Sequence, residues 1–154
     1  MFQASRGTTV EPFNLGIKDS LLRSIAEALQ ARDLTVESPC FLTGFSAAKH
    51  GFDLKVSNES GAQVFADLHS SRPNVDKVAV LELFVKVLDL GLERAILIAD
   101  PVLSTKGRQF AELYGIELYE TADSPQVTVI AHLVKSSLDN SSISIRAPQP
   151  PTQT

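Results

Sequence analysis

One cysteine, Cys40, occurs in the 154 residues. A single cysteine excludes an internal disulfide and a cysteine-rich zinc site. With no recognisable secretion signal, it points to a reducing, cytoplasmic setting. No apolar run approaches the roughly 20 residues of a membrane-spanning helix, so no membrane association is expected. Basic charge is not in excess either. The formal net charge is −4, which gives no global pull toward nucleic acid or anionic lipid, so such binding would need a local basic patch. Gly44 and Gly51 do not form a phosphate-cradling series, and no glycine-rich loop precedes a Lys-Ser/Thr pair; both facts argue against nucleotide hydrolysis. His50, His69 and His132 are too scattered for a zinc motif. There is no internal repeat.

What is present is the composition of an ordinary globular domain, 44% apolar and 21% charged, long enough to bury one real core. Residues 1–16 read as an N-terminal arm, because Gly7, Thr8, Thr9, Pro12 and Gly16 break any period. A helix capped by Asp19 or Ser20 runs to Arg32, with Leu21, Leu22, Ile25, Ala28 and Leu29 on one stripe. Leu34 to Val36 is a short strand stopped by Pro39. Phe41 to Phe45 is a strand or the entry to a hairpin, and residues 46–50 read as a loop. Further on, Asn74 can cap a helix from Val75 to Leu90, closed by Gly91. Ala95 to Ala99 is a continuous apolar run, as in a strand covered on both faces. A helix from Ser104 or Thr105 to Tyr114 follows, then a strand over Ile116 to Tyr119. A last helix opens at Ser124-Pro125 and ends near Ser137. Residues 17–138 form the domain, and the tail 139–154, rich in Ser, Pro and Gln, is expected to be disordered.

The most informative stretch is Gly51 to Val56, a polar turn over Ser57 to Ala62, and Val64 to His69. Even positions are apolar, while odd positions include Asp53, Lys55, Asp67 and His69. Strand side chains alternate faces with period two, so this reads as an antiparallel hairpin with one buried face. A turn centred near Ser60 sets Asp53 opposite Asp67 and Gly51 opposite His69, with facing side chains about 5 Å apart. Facing carboxylates repel, so this register asks for a cation: a metal ion, Lys55 or His69. The plainer alternative is two solvent-face acids on an amphipathic hairpin, with His69 an ordinary hydrogen-bonded imidazole.

These residues resemble the core of the PD-(D/E)XK nucleases, the restriction-endonuclease-like superfamily, and its Mrr-like branch in particular. Arg94 to Ala99, the Ser104-Thr105 helix start, Arg108, Ala111-Glu112 and Tyr114 to Tyr119 extend the likeness. It covers Asp19 to Glu120. The fold it implies is α/β (α+β), a mixed sheet flanked by helices. The activity it implies is hydrolysis of a DNA phosphodiester with Mg²⁺ or Mn²⁺ held by Asp53 and Asp67. The family's lysine falls on His69, so the motif is degenerate. Lys55, on the same strand face as Asp53, can supply the missing cation; Lys86 on the next helix stands behind it as a candidate. Glu27 matches an accessory acid of some relatives. The alternative is a catalytically inactive binding or assembly module that keeps the fold, most simply a homodimer.

Other features have plain readings beside sharper ones. Asp100-Pro101 ends a buried strand, where ligand sites gather but where a turn is also common. Lys106 and Arg108 sit near a helix start and can meet phosphate, or simply solvate that helix. Cys40, after Pro39, has no base beside it and reads as structural.

Overall fold

The computed structural model describes residues 12–123 and 127–146, with side chains described over 18–123 and 127–140. The elements in order are α1 (Pro12–Gln30), β1 (Thr35–Glu37), β2 (Cys40–Thr43), β3 (Lys49–Phe52), β4 (Leu54–Ser57) and β5 (Gln63–Ser70). Then come α2 (Val78–Leu90), β6 (Ala95–Asp100), α3 (Thr105–Tyr114), β7 (Glu117–Glu120) and α4 (Val127–Arg146). Five strands form one mixed sheet, ordered β1-β4-β5-β6-β7, and β2 pairs with β3 in a separate ribbon. The pairs β1–β4 and β4–β5 are antiparallel, while β5–β6 and β6–β7 are parallel. The expected mixed sheet flanked by helices is thus the architecture found.

Two cores lie on opposite faces of the sheet. On one face Ile25 and Leu29 of α1 and Ile130, Ala131, Val134 and Leu138 of α4 pack on Leu54, Val56, Val64, Ala66 and Leu68. On the other, Val80 and Leu83 of α2, Ala111 of α3 and Cys40 of β2 pack with Phe52, Phe65, Leu97 and Ala99. Both sides of β5 and β6 are therefore buried, which explains the unbroken apolar run from Ala95 to Ala99. Each fully buried Leu, Ile or Phe contributes about 1.5–3 kcal/mol.

Several boundaries differ from the sequence reading. α1 begins at Pro12, inside the expected arm and ahead of Asp19 and Ser20; proline is well placed as a first helical residue because its missing N–H has no partner to lose. Residues 1–11 of that arm lie outside the described residues. α2 starts at Val78, because Val75 instead bridges to Leu103 and its neighbour Asn74 caps nothing. Gly91 closes α2 as expected, left-handed at φ 65° with its N–H on Leu88 O. Ser104 caps α3, its Oγ accepting from Gly107 N–H at 3.1 Å. The β-branched run at Val127 is helical because Ile130, Ala131 and Val134 bury against the first core, and packing overrides weak propensity. α4 continues to Arg146, so residues 139–146 of the expected disordered tail are helical. Leu138, fully buried, anchors the helix where the sequence reading ended it. Residues 147–154 lie outside the described residues.

Candidate functional site

The site lies where β3 gives way to β4. Phe52 and Leu54 are two residues apart, and in one continuous strand they would share a face. Here Phe52 joins the α2 core, its ring 5.1 Å from that of Phe65, while Leu54 joins the α1–α4 core. The backbone turns over at Asp53. The β4–β5 register pairs Leu54 with Ala66, so the next pair outward sets Asp53 against Asp67, as the sequence spacing predicts. Gly51, in contrast, pairs with Phe41 of β2 rather than facing His69. The break at Asp53 moves Gly51 out of the sheet and into the ribbon.

The two acids brace one another through backbone. Asp53 N–H donates to Asp67 Oδ1 at 3.0 Å, and Leu68 N–H donates to Asp53 Oδ2 at 2.8 Å. Ser38 Oγ donates to Asp53 O at 2.7 Å and fixes the turned backbone. The cation for Asp67 comes from α2. Lys86 Nζ lies 2.7 Å from Asp67 Oδ2 and 2.6 Å from Gly51 O. It also lies 5.0 Å from the centre of the Phe52 ring, a further contact that holds an ammonium in place. Asp53 has its own cation, Lys18 of α1, with Nζ 3.2 Å from Oδ2.

The other expected site residues are distributed around this pair. His69 follows Asp67 on the same face of β5. Burial lowers its pKa, with the nearby Lys18 charge acting the same way; the charges of Asp67, Asp53 and Glu82 oppose the shift without cancelling it. His69 is therefore a neutral imidazole near pH 7. Lys55 is not joined to the acids: it stands opposite Glu37 in the β1–β4 register, with Nζ 3.9 Å from that carboxylate. Glu27 is exposed on α1, half a turn out of phase with Lys18 at 3.6 residues per turn, so α1 meets the site through a base instead of an acid. The sequence gives a signal for Lys86: a lysine spaced three and four residues from Leu83 and Leu90, which face the core side of α2. Lys18 has no such signal, because only the docking of α1 brings it to Asp53.

The ribbon that carries Gly51 is pinned to the end of α2. Asp89 accepts from Ser46 N–H at 2.9 Å and Ser46 Oγ at 2.7 Å, and pairs with His50 Nε2 at 2.7 Å. The Ser46 hydrogen bonds, with that of His50, hold the Asp89 carboxyl below its usual range. A Cβ on Gly44 would come within 2.1 Å of this carboxylate, so only glycine fits there. His50 is thus a strand residue with a partner and not a loop residue, while His132 is exposed on α4.

Among the described residues, no group of three or more His, Cys, Asp or Glu side chains is arranged to hold a metal ion. Two carboxylates do suit Mg²⁺ or Mn²⁺, hard ions that keep several waters and often take only one or two protein carboxylates. No donor among the described residues meets Asp53 Oδ1, which leaves an oxygen ligand open. The pair does not suit a closed zinc site, which needs four ligands.

No protein-family model matches the chain, and no curated protein does. Solved structures do. A crystal structure of a protein of unknown function, AF1548, superposes with a TM-score of 0.56 at 13% identity, over 66% of this chain and 58% of that one. EndoMS in complex with double-stranded DNA aligns at TM-score 0.40 and 22% identity, over 54% of this chain and 35% of that one. A repair endonuclease from Pyrococcus abyssi aligns at 0.39 and 22%, over 77% and 49%. The chain thus spans less than two thirds of each of these structures. The AF1548 superposition shows a shared fold; the two endonuclease alignments are too partial to carry an argument. No helix among the described residues is long and apolar enough to cross a membrane.

Proposed function

We propose that this chain is a metal-dependent DNA phosphodiesterase domain of restriction-endonuclease-like, Mrr-like type. Asp53 and Asp67 would hold Mg²⁺ or Mn²⁺, and Lys86 would take the role that the family gives to the lysine missing at His69. The observation that carries this reading is the Lys86 ammonium, held 2.7 Å from Asp67 Oδ2 and 2.6 Å from Gly51 O. A motif that is degenerate along the strand regains its cation across the sheet, from α2. The bound ion would polarise the phosphate and lower the pKa of an attacking water. Asp67 and Asp53 orient one another through reciprocal amide bonds, and Lys86 would place fixed positive charge beside the reacting phosphate. His69, neutral near pH 7, can accept a proton from water. Buried, unpaired Cys40 is in keeping with a reducing, cytoplasmic setting.

The test is cleavage of plasmid and short duplex DNA with Mg²⁺ or Mn²⁺, using wild type, Asp67→Asn and Lys86→Ala. The reading expects wild-type cleavage that both substitutions abolish. Equal cleavage by all three proteins, or no wild-type cleavage with either ion, overturns it.

One observation favours an inactive assembly module as the second reading. Val85 and Leu88 are 57% and 61% exposed on the outer face of α2, a face that suits a homodimer partner. With the net charge of −4, this reading expects a dimer by gel filtration and no salt-dependent DNA binding.

A further inference from the structure

The two lysines of the site are held very differently. The Lys86 side chain is 22% exposed and has three anchors: Asp67, the Gly51 carbonyl and the Phe52 ring. Lys18 is 35% exposed, and its one ion pair among the described residues is with Asp53 Oδ2. A single, part-exposed ion pair of a long flexible side chain is among the weakest contacts in a protein. Lys86 is a fixed cation, and Lys18 is a displaceable one.

Charge makes that difference consequential. Asp53 and Asp67 carry two negative charges, and Lys18 and Lys86 carry two positive ones. The two carboxylates are thus matched by two ammonium groups, with Glu82 a further acid near His69. A divalent ion on Asp53 Oδ1 would share one carboxylate with the Lys18 ammonium on Oδ2, and the two like charges would repel.

We propose that Lys18 is a built-in counter-ion of Asp53 that competes with the divalent cation, weakening metal binding in the resting protein. The inference rests on the metal-site reading above. It assigns Lys18 a regulatory role: the ammonium screens Asp53 until a divalent ion displaces it. α1 thus brings the base Lys18 to the site, while Glu27, the accessory acid the resemblance implies, is exposed away from it.

The test is isothermal titration of Mn²⁺ into the full chain without DNA, so that nuclease activity plays no part. Lys18→Met, which keeps the apolar stem, should bind Mn²⁺ about tenfold more tightly than wild type. Lys18→Arg, which keeps the charge, should stay near wild type, and Asp53→Asn should abolish binding. Circular dichroism and thermal melting establish that each variant is folded. Tighter binding by the Met variant with near-wild-type binding by the Arg variant supports the proposal, as does binding detectable only in the Met variant. Unchanged or weaker binding by Lys18→Met overturns it and leaves the metal site standing. Tightening in both variants overturns it too, since packing and not charge would then be the cause. No binding by either wild type or Lys18→Met removes the metal site itself, and this proposal with it.

Discussion

Asp67 on β5 and Glu120 on β7 are both buried acids of one sheet, with β6 between them, yet their surroundings point to opposite uses. Glu120, at the end of β7, accepts from Arg108 Nε at 3.0 Å, Arg108 Nη2 at 2.9 Å and Leu103 N–H at 2.7 Å. Asp100, at the end of β6, accepts from Thr121 Oγ1 at 2.6 Å and Ser70 Oγ at 2.8 Å, with Arg72 Nη1 at 3.3 Å. A guanidinium fork on a carboxylate is rigid and fills the oxygens it faces. These groups clamp the loops after β5, β6 and β7 to one another. At the other cluster the partners are ammonium groups and backbone amides, the strand is interrupted, and no donor among the described residues meets Asp53 Oδ1. Burial of an acid is therefore a poor guide to function; what matters is whether its oxygens are already spoken for. The sequence offered Asp100 and Arg108 as possible ligand and phosphate contacts, and both are engaged within the fold.

The largest effect separates chemistry from support. Asp67→Asn keeps the shape and removes the charge, so cleavage should fall by about a thousandfold, near 4 kcal/mol of transition-state stabilisation. Thermal melting should show the protein still folded. If instead cleavage survives and stability collapses, Asp67 belongs with Glu120 as a structural clamp.

Arg108→Ala is the converse. It leaves Glu120 buried with only the Leu103 amide. One-sided removal of a buried pair costs ~3–5 kcal/mol. Arg108 is about half exposed, which reduces the expectation to about 2 kcal/mol, or roughly 4–8 °C in Tm for a chain of this length. Cleavage per folded molecule should not change. A loss of cleavage without a loss of stability would move the working site to this end of the sheet.

A smaller effect distinguishes the clusters by pH. His69 has its folded pKa lowered from 6.5 by burial. The unfolded chain then binds more protons between that lowered value and 6.5, so stability rises with pH through this window and is fully present above it. Acidifying below about pH 6.5 should lower Tm, and His69→Gln should remove that step. Asp100 acts at lower pH. Burial pushes its carboxyl up, but the Thr121 and Ser70 hydrogen bonds and the Arg72 charge outweigh that and lower it. Its contribution is present above the ordinary carboxylate pKa and is lost as pH falls through its own. Melting curves of wild type, His69→Gln and Asp100→Asn from pH 3 to pH 8 separate the two steps; a His69→Gln profile identical to wild type removes the His69 assignment.

How much of this was legible depends on range. The hairpin and its Asp53–Asp67 register follow from period two and the polar turn, because both are local. The helix ends at Gly91 and at Gly115, which closes α3 in the left-handed region at φ 72°, are local too. The break at Asp53 is not, since the alternation from Phe52 to Val56 continues unbroken in sequence while the side chains change sheet faces in space. A long-range preference decides it: Phe52 packs with Phe65 and takes the ammonium of Lys86 over its ring. For the same reason spacing ranks Lys55 and His69 ahead of Lys86 and gives no sign of Lys18, whereas the ammonium groups on the two acids are those of Lys86 and Lys18, both from helices. Sequence spacing gives the faces of an element, but not which lysine of another element reaches across to it.

Lys55 gives the smallest expected effect, and the sharpest test of that lesson. It lies two residues from Asp53, and spacing alone makes it as good a cation as any. Its ammonium, however, is 3.9 Å from Glu37, a contact between part-exposed side chains. Pairs of that kind contribute between nothing and about 1 kcal/mol. Lys55→Ala should therefore change stability by no more than about 0.5 kcal/mol and leave DNA cleavage untouched, while Lys86→Ala abolishes it. Measured side by side under the same Mn²⁺ conditions, the two variants isolate the origin of the positive charge. Should Lys55→Ala lose cleavage and Lys86→Ala keep it, the strand would supply the cation, and the contrast between an ammonium-bearing site and a guanidinium-clamped one would lose its first member.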